Sequence, residues 1–304
     1  KVVRSSVPIY TNGNMVCKNC VTAETIIIGD NKPISSIIVG DGAIGASGLG
    51  RIEETFVHEY SGKLLRLKGE GLLPIHTTPE HPFLVVNSHT RPHNHTMSFT
   101  KPYWLEANKL KEKHSTSDGH YLLVPKLKGS ERNEAIPLTA FSSAHGLKVV
   151  TGKGYPTKIP INEDTAWLMG LYVAEGCISQ THGKPFSFQF ALNKNETVLF
   201  DRIKKIMASL GYRSKQKAQK SDAVSVILYS RLLARAFKEW FGDGAPNKRI
   251  PDFILFHENP SIPASFLQGY MEGDGCIVLD KKCDQKFYIA STVSRILVQQ
   301  LQLL

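Results

Sequence analysis

The sequence predicts a multidomain chain of two unlike parts. An all-β N-terminal domain comes first, then an α+β domain of pseudo-twofold αββαββα repeats whose second repeat is incomplete. Two observations carry this. Up to residue 125 the chain is cut into short apolar runs by frequent Gly, Pro, Asn and Asp turns, the pattern of a compact all-β unit rather than of βαβ repeats. Beyond that, the stretch 164–176 recurs about 100 residues later as 264–275, an internal repeat. The shared frame is Leu-x-Gly, four residues, then an acid and a glycine: Leu168, Gly170, Glu175, Gly176 against Leu267, Gly269, Asp274, Gly275.

The β elements follow in order. Thr25–Ile28 leads to the turn at 29–33, then Ile34–Val39 and the turn Gly40-Asp41-Gly42. Runs at 53–59, 63–68, 72–75 and 83–86 supply more strands. Residues 103–111 read as a short helix, and 121–125 as a strand. Residues 126–163, rich in Lys, Gly, Ser, Thr and Pro with little periodicity, read as a linker, with Asn162 or Asp164 as N-cap of the helix that follows.

From there the second unit reads as helix, strands at 177–180 and 187–192, an amphipathic helix at 196–210, strands at 212–218 and 223–229, and a helix at 231–241. The second copy starts the order again, with strands at 276–279 and 287–291 and a helix at 293–304. Each repeat helix carries small residues four apart, Gly170 with Ala174 and Gly269 with Gly273, a spacing that lets two helix backbones approach closely. If the helices pack on each other, Glu175 and Asp274 project from one end of the pair. Two close carboxylates repel unless a cation sits between them, and hard divalent ions such as Mg²⁺ prefer such ligands. A metal held there activates water and stabilises a phosphodiester transition state.

Composition narrows the partners. A net charge of +10 favours a polyanion. No long apolar run and no N-terminal signal segment is visible, so no membrane association is expected. The five cysteines (Cys17, Cys20, Cys177, Cys276, Cys283) form no even disulfide ladder, which suits a reducing, intracellular, cytoplasmic setting. Cys177 and Cys276 read as small buried residues. Cys17-Lys18-Asn19-Cys20 has zinc or redox spacing, but no second pair and no βαβ context accompanies it. Histidines 76, 89, 93, 95, 114 and 120 read as loop residues. Arg213, Lys215, Lys217 and Lys220 are spaced as one face of a strand plus its turn, a basic surface able to lie along the major groove of double-stranded DNA.

Four blocks in order and spacing give a resemblance to inteins, the protein-splicing elements. They are Cys20-Val-Thr-Ala-Glu-Thr25 with Ile37-Ile-Val-Gly40-Asp41, then Thr78-Pro79-Glu80-His81-Pro82-Phe83, then Trp104-Leu105-x-Ala107, then Tyr121-Leu-Leu-Val-Pro125. The paired motifs and element order resemble the LAGLIDADG homing endonucleases, here as an insertion inside an intein. Glu replaces Asp in the first motif, which keeps the chemistry. The resemblance implies that residues 1–19 are the N-extein of a host protein, 20–125 the N-terminal part of a Hint splicing domain, 126–163 a linker and 164–304 the endonuclease.

It also implies roles. Cys20 attacks the carbonyl of Asn19, His81 protonates the leaving nitrogen, and Thr78 binds the strained peptide or the oxyanion. Splicing needs no cofactor. Two or three Mg²⁺ ions are expected at Glu175 and Asp274, with Gly176 and Gly275 as further ligands. Lys248, in Lys248-Arg249-Ile250-Pro251, stabilises the transferring phosphate, positions a water or contacts a phosphate, and Arg249 joins the DNA contacts.

The second half stops before its last two strands and helix, and the His-Asn end of an intein is absent. The expectation is therefore that this stretch alone does not complete splicing, the His-Asn block coming either from a separate C-terminal intein fragment or from the rest of a longer chain, in addition to the exteins. Two rivals stand beside the nuclease: a DNA-binding unit that no longer cleaves, and a unit that cleaves itself without splicing. Magnesium-dependent DNA cleavage separates the first; the missing C-terminal block favours the second, and the repeat helices argue against it.

Overall fold

The computed structural model describes residues 2–4, 10–11, 14–15, 20–29, 31–45, 48–69, 72–90, 97–112, 119–124, 129, 131–139, 141, 156–218, 222–280 and 285–304. The chain is a mixture of helices and several small antiparallel sheets, divided into two compact units, residues 1–127 and 128–304.

The first unit is built from short strands. A five-stranded sheet joins β1 (Val2–Arg4), β2 (Cys20–Thr22), β3 (Phe56–His58), β4 (Leu65–Leu67) and β5 (Ile75–Thr77) in the spatial order β4-β5-β2-β1-β3. Residues 2–4, from the segment expected to belong to a host protein, form an inner strand of this sheet. A second sheet centres on β6 (Pro82–Thr90), which pairs with β7 (Met97–Phe99), β8 (Tyr103–Glu106) and β9 (His120–Leu122).

Three local expectations change here. Residues 103–111 are not one helix: Tyr103–Glu106 is a strand because it finds an edge on Pro82–Val85, and only Ala107–Lys109 turns, as 3₁₀. Ile34–Ser36 is likewise a 3₁₀ turn after Pro33, whose ring fixes a φ suited to starting a turn. His76, His89 and His120 lie in strands rather than loops, and His93, His95 and His114 fall outside the described residues.

The second unit follows the repeat. Helix α1 (Glu163–Glu175) is followed by β10 (Gly176–Thr181), β11 (Lys184–Asn193), α2 (Thr197–Ser209), β12 (Ser214–Ala218), β13 (Ala223–Leu228) and α3 (Arg231–Phe241). A short α4 (Asp252–Leu255), absent from the sequence reading, precedes α5 (Ser261–Asp274), β14 (Gly275–Asp280), β15 (Gln285–Ala290) and α6 (Arg295–Leu301). The first-half sheet runs β10-β11-β13-β12. Its inner face buries Phe188, Phe190, Val226 and Leu228, with the Phe237 ring stacked on Phe188 at 4.7 Å. Within the stretch expected to be a linker, Ala135–Pro137 pairs with Lys158–Pro160, and Leu138 and Ile159 are buried.

Asn162 is the N-cap of α1, in a capping box. Its Oδ1 accepts from Thr165 N at 2.9 Å, and its own N–H donates to Thr165 Oγ1 at 3.0 Å.

Candidate functional site

In the first unit the structure gathers the candidate splicing residues around β2. Cys20 opens that strand and is buried, as are Thr77, Thr78 and His81. The Cys20 N–H donates to Thr78 Oγ1 at 3.2 Å. The Cys20 carbonyl accepts from Thr78 N–H at 3.0 Å and from the Thr77 hydroxyl at 2.9 Å. Thr78 to His81 is a turn, closed by His81 N–H donating to Thr78 O at 3.1 Å, with Pro79 where a type I or II turn favours it. The carbonyl of His81 accepts from Ala107 N–H at 2.9 Å, and the imidazole lies against Phe83 at 5.1 Å between ring centroids. The Trp104-Leu105-x-Ala107 block therefore holds the histidine in place through its backbone. Asp41 is buried and structural: one oxygen accepts from Ile38 N–H and from Lys32 Nζ, each at 2.8 Å. Asn19, Cys17 and Cys283 lie outside the described residues.

In the second unit α1 and α5 pack against each other through the repeat glycines. A Cβ on Gly170 would lie 1.9 Å from the Phe266 carbonyl oxygen, and one on Gly269 would lie 2.0 Å from that of Trp167. Gly273 faces the Ala174 methyl just as closely, with 2.6 Å to a Cβ placed there. The pair is tied on its flank by Trp167, whose indole N–H donates to Glu272 at 3.0 Å under the Arg202 guanidinium, 3.9 Å over the ring.

Both acids are thereby brought to one end of the pair. Glu175 closes α1 and Asp274 closes α5. The Glu175 carboxyl is pushed up from its usual range by burial first, then by the charges of Asp274 and Glu196. Asp274 is also pushed up by burial, and the Lys248 ammonium opposes that shift.

Lys248 is the most constrained of the candidates. It is 6% exposed, and its ammonium donates to the carbonyls of Tyr172 at 2.9 Å and Gly176 at 2.8 Å. The same ammonium sits 3.9 Å from the centre of the Tyr172 ring. A cation at the C-terminus of α1 complements the free carbonyls and negative end of that helix. Burial lowers its pKa to about 8, opposed by the nearby Cys177, Asp243 and Asp274. The Gly176 carbonyl, expected as a metal ligand, is already engaged by this ammonium.

The basic residues divide. Arg213, Lys215 and Lys217 are exposed on one face along the edge strand β12, where Lys215 pairs with Ile227 and Lys217 with Ser225. The Lys215 ammonium lies 5.7 Å from the centre of the Tyr229 ring. Lys220 falls outside the described residues. Arg249 is turned to α3: its Nε donates to Trp240 O at 3.3 Å, and its guanidinium also reaches Glu239 O. Cys177 and Cys276 are exposed rather than buried, because each sits on the outward side of its strand directly after the motif glycine.

Among the described residues no group of three or more His, Cys, Asp or Glu side chains converges as a metal cage. Two carboxylates alone suit Mg²⁺, which keeps several of its waters and takes one or two carboxylates. The sequence reading missed Thr77 and Tyr172. Thr77 offered only its place beside Thr78, and Tyr172 looked like one more apolar helix residue.

No protein-family model matches the chain. It is 28% identical to an ATP-dependent DNA helicase Hel308 of Thermococcus kodakarensis, over 94% of this chain and 27% of the relative. It is 24% identical to an iron-sulfur cluster assembly SufBD family protein of Mycobacterium bovis, over 94% of this chain and 32% of the relative. A DNA-directed RNA polymerase subunit of Methanocaldococcus jannaschii is 23% identical over 76% of this chain and 25% of its own length. The chain thus spans a third or less of each of these curated relatives. Among solved structures, a LAGLIDADG meganuclease bound to uncleaved DNA aligns at a TM-score of 0.25 and 16% identity, over 42% of this chain and 65% of that one. No helix among the described residues is long and apolar enough to cross a membrane.

Proposed function

We propose that this chain is part of a self-splicing insertion element, an intein, whose second unit is a LAGLIDADG-type homing endonuclease that cuts double-stranded DNA. One observation carries the reading. Nearly the whole chain aligns with a helicase and with an iron-sulfur assembly protein, and most of it with an RNA polymerase subunit. Each time it matches only a third or less of the relative. A module shared by proteins of unrelated task behaves as an insertion, and the grouping of Cys20 with Thr78 and His81 suits an insertion that excises itself.

The splicing chemistry falls to the first unit. Cys20 Sγ attacks the carbonyl carbon of Asn19, the S–C bond forms, the C–N bond breaks, and the Cys20 nitrogen leaves as an amine. His81 supplies the proton that nitrogen needs and takes up the one the Cys20 thiol releases, since amide nitrogen is a poor leaving group without one. Thr78 Oγ1 holds the scissile N–H in the resting state. No cofactor is required. The partners are the host segments flanking the element, in the reducing cytoplasm that keeps Cys20 a thiol.

In the second unit Glu175 and Asp274 would hold Mg²⁺, which supplies an activated water and charge neutralisation at a phosphodiester. Gly275 remains a candidate carbonyl ligand, and two or three ions remain the expected number. Arg213, Lys215, Lys217 and Lys220 would contact DNA phosphates. Lys248 would set the end of α1 on which Glu175 stands. The test is paired. Cys20→Ala should abolish cleavage upstream of residue 20, and Glu175→Gln should abolish Mg²⁺-dependent DNA cleavage while DNA binding survives. Full DNA cleavage by Glu175→Gln would remove the metal-site assignment. Absence of cleavage by the natural chain, with binding intact, would favour a decayed endonuclease.

A further inference from the structure

Cys20 is held from both sides by consecutive threonines. Its N–H is fixed by the Thr78 hydroxyl and its carbonyl by the Thr77 hydroxyl and the Thr78 N–H. We infer that Thr77 is a positioning residue for the acyl shift at Cys20, setting the residue's backbone so that the thiol faces the upstream carbonyl. The inference rests on the splicing reading above.

Attack by Cys20 Sγ on the Asn19 carbonyl closes a five-membered ring through Sγ, Cβ, Cα, N and the carbonyl carbon. The approach is set by φ and χ1 of Cys20. Fixing the peptide plane on the N-terminal side alone leaves ψ free, so the residue can still rock. Thr77 narrows that freedom further, beside the Thr78 N–H that also holds the carbonyl. It is fully buried, its backbone is in register with Val21, and its hydroxyl reaches Cys20 O at 2.9 Å, with Thr78 O as a second acceptor at 3.2 Å. Among the described residues the Thr77 hydroxyl reaches the carbonyls of Cys20 and Thr78, neither of which takes part in the shift. The shift forms Cys20 Sγ–C and breaks C–N, while the Cys20 carbonyl that Thr77 grips is unchanged throughout. A grip of this kind lets the reacting side move and keeps the other side still.

Removing the hydroxyl leaves no orphan, because Cys20 O keeps the Thr78 N–H at 3.0 Å. Thr77→Val is therefore expected to fold. The full chain is incubated with dithiothreitol, which intercepts the thioester and frees residues 1–19, and the products are weighed under denaturing conditions. The plateau rate at saturating thiol should fall on the order of tenfold in Thr77→Val, in line with what small misplacements cost reacting groups. Thr77→Ser, which keeps the hydroxyl, should stay within about twofold. In Thr77→Val the half-saturating thiol concentration should fall together with the plateau, because a misplaced thiol slows the forward and the reverse shift alike. A merely loosened fold would expose the thioester and lower that concentration while leaving the plateau unchanged. If Thr77→Val loses its melting transition, Thr77→Ser against Thr77→Cys repeats the comparison, a thiol being a weak donor. A plateau for Val equal to the natural one, or equal losses for Val and Ser, overturns the inference alone. Cleavage at residue 19 that persists in Cys20→Ala, or none in the natural chain, overturns the splicing reading and this inference with it.

Discussion

The packing of α1 on α5 is where a single methyl group should be felt most. In Gly269→Ala the new Cβ would sit 2.0 Å from the Trp167 carbonyl oxygen and 3.0 Å from Leu171 N, where ordinary contact begins at 3.4 Å. Neither neighbour is a flexible tip. Both are backbone atoms of a helix whose side chains at 166–169 and 171–173 are nearly all sealed in the core. Helix backbone cannot yield locally, so the two helices must part by about 1.4 Å at this point, or tilt. Overpacking of a filled interior costs about 1–3 kcal/mol, and the upper end applies here because the obstacle is main chain. For a unit of this size that is a fall in Tm of roughly 4–10 °C. Parting also moves Asp274 relative to Glu175, and a displacement near 1 Å can slow a positioned reaction about a hundredfold. Thermal unfolding followed by near-UV circular dichroism and Mg²⁺-dependent cleavage of plasmid DNA are the assays. DNA affinity should change little, since β12 is remote in sequence and carries its own cations. An unchanged Tm together with unchanged cleavage would mean that the helices do not meet at their glycines, and the shared-site argument would fail with them.

Further expectations concern the cap, the charges and the sheet. Asn162→Ala removes the capping box of α1 and should cost about 1 kcal/mol, read as a lowered Tm, with cleavage per folded molecule retained. Burial lowers Lys248 to a pKa of about 8, so the folded chain sheds this proton before the unfolded chain does. Stability should then rise between pH 8 and 10, where the unfolded state binds more protons, and the cost of burying the charge is fully present below pH 8. Lys248→Met should flatten that rise when urea unfolding is repeated across the window. A rise of equal slope in the variant would place its origin in another group. Replacing Arg213, Lys215 and Lys217 by Gln should each reduce the slope of log affinity against log salt by about 0.9 on duplex DNA, and an unaltered slope would take β12 out of the interface.

Much of the second unit was legible because its signals are periodic and doubled. The helix at 231–241 stands where the sequence put it, Asn162 caps α1, and the repeated Leu-x-Gly frame named the glycines at which the helices touch. A frame seen twice constrains three dimensions, since both copies must satisfy the same contact. Misreadings came where neighbours decide the outcome. Residues 103–106 have a composition that fits helix or strand, and the free edge of Pro82–Val85 settles it. Cys177 and Cys276 were expected inside on residue type alone, yet strand alternation after the motif glycine turns them outward. Thr77 had no signal beyond its place next to Thr78, because a hydroxyl aimed at a carbonyl across the sheet depends on register, which a single strand does not encode.

Lys248 shows how far a motif can carry a role. Its place in a Lys-x-x-Pro block suggests a phosphate or water partner. The observed ammonium is buried against the carbonyls of Tyr172 and Gly176 and the Tyr172 ring. Those groups fill its near surroundings, and its positive charge offsets the burial of Asp274. On the proposed reading such a residue would act on chemistry by fixing where α1 ends, and with it where Glu175 stands. Lys248→Arg then becomes informative. An arginine is longer and planar and has little room beside the Tyr172 ring, so positioning should be lost although charge is kept. Reduced cleavage in Lys248→Arg with DNA affinity intact follows from the positioning role. A pure phosphate contact would keep most of its cleavage with arginine, since phosphate accepts either cation.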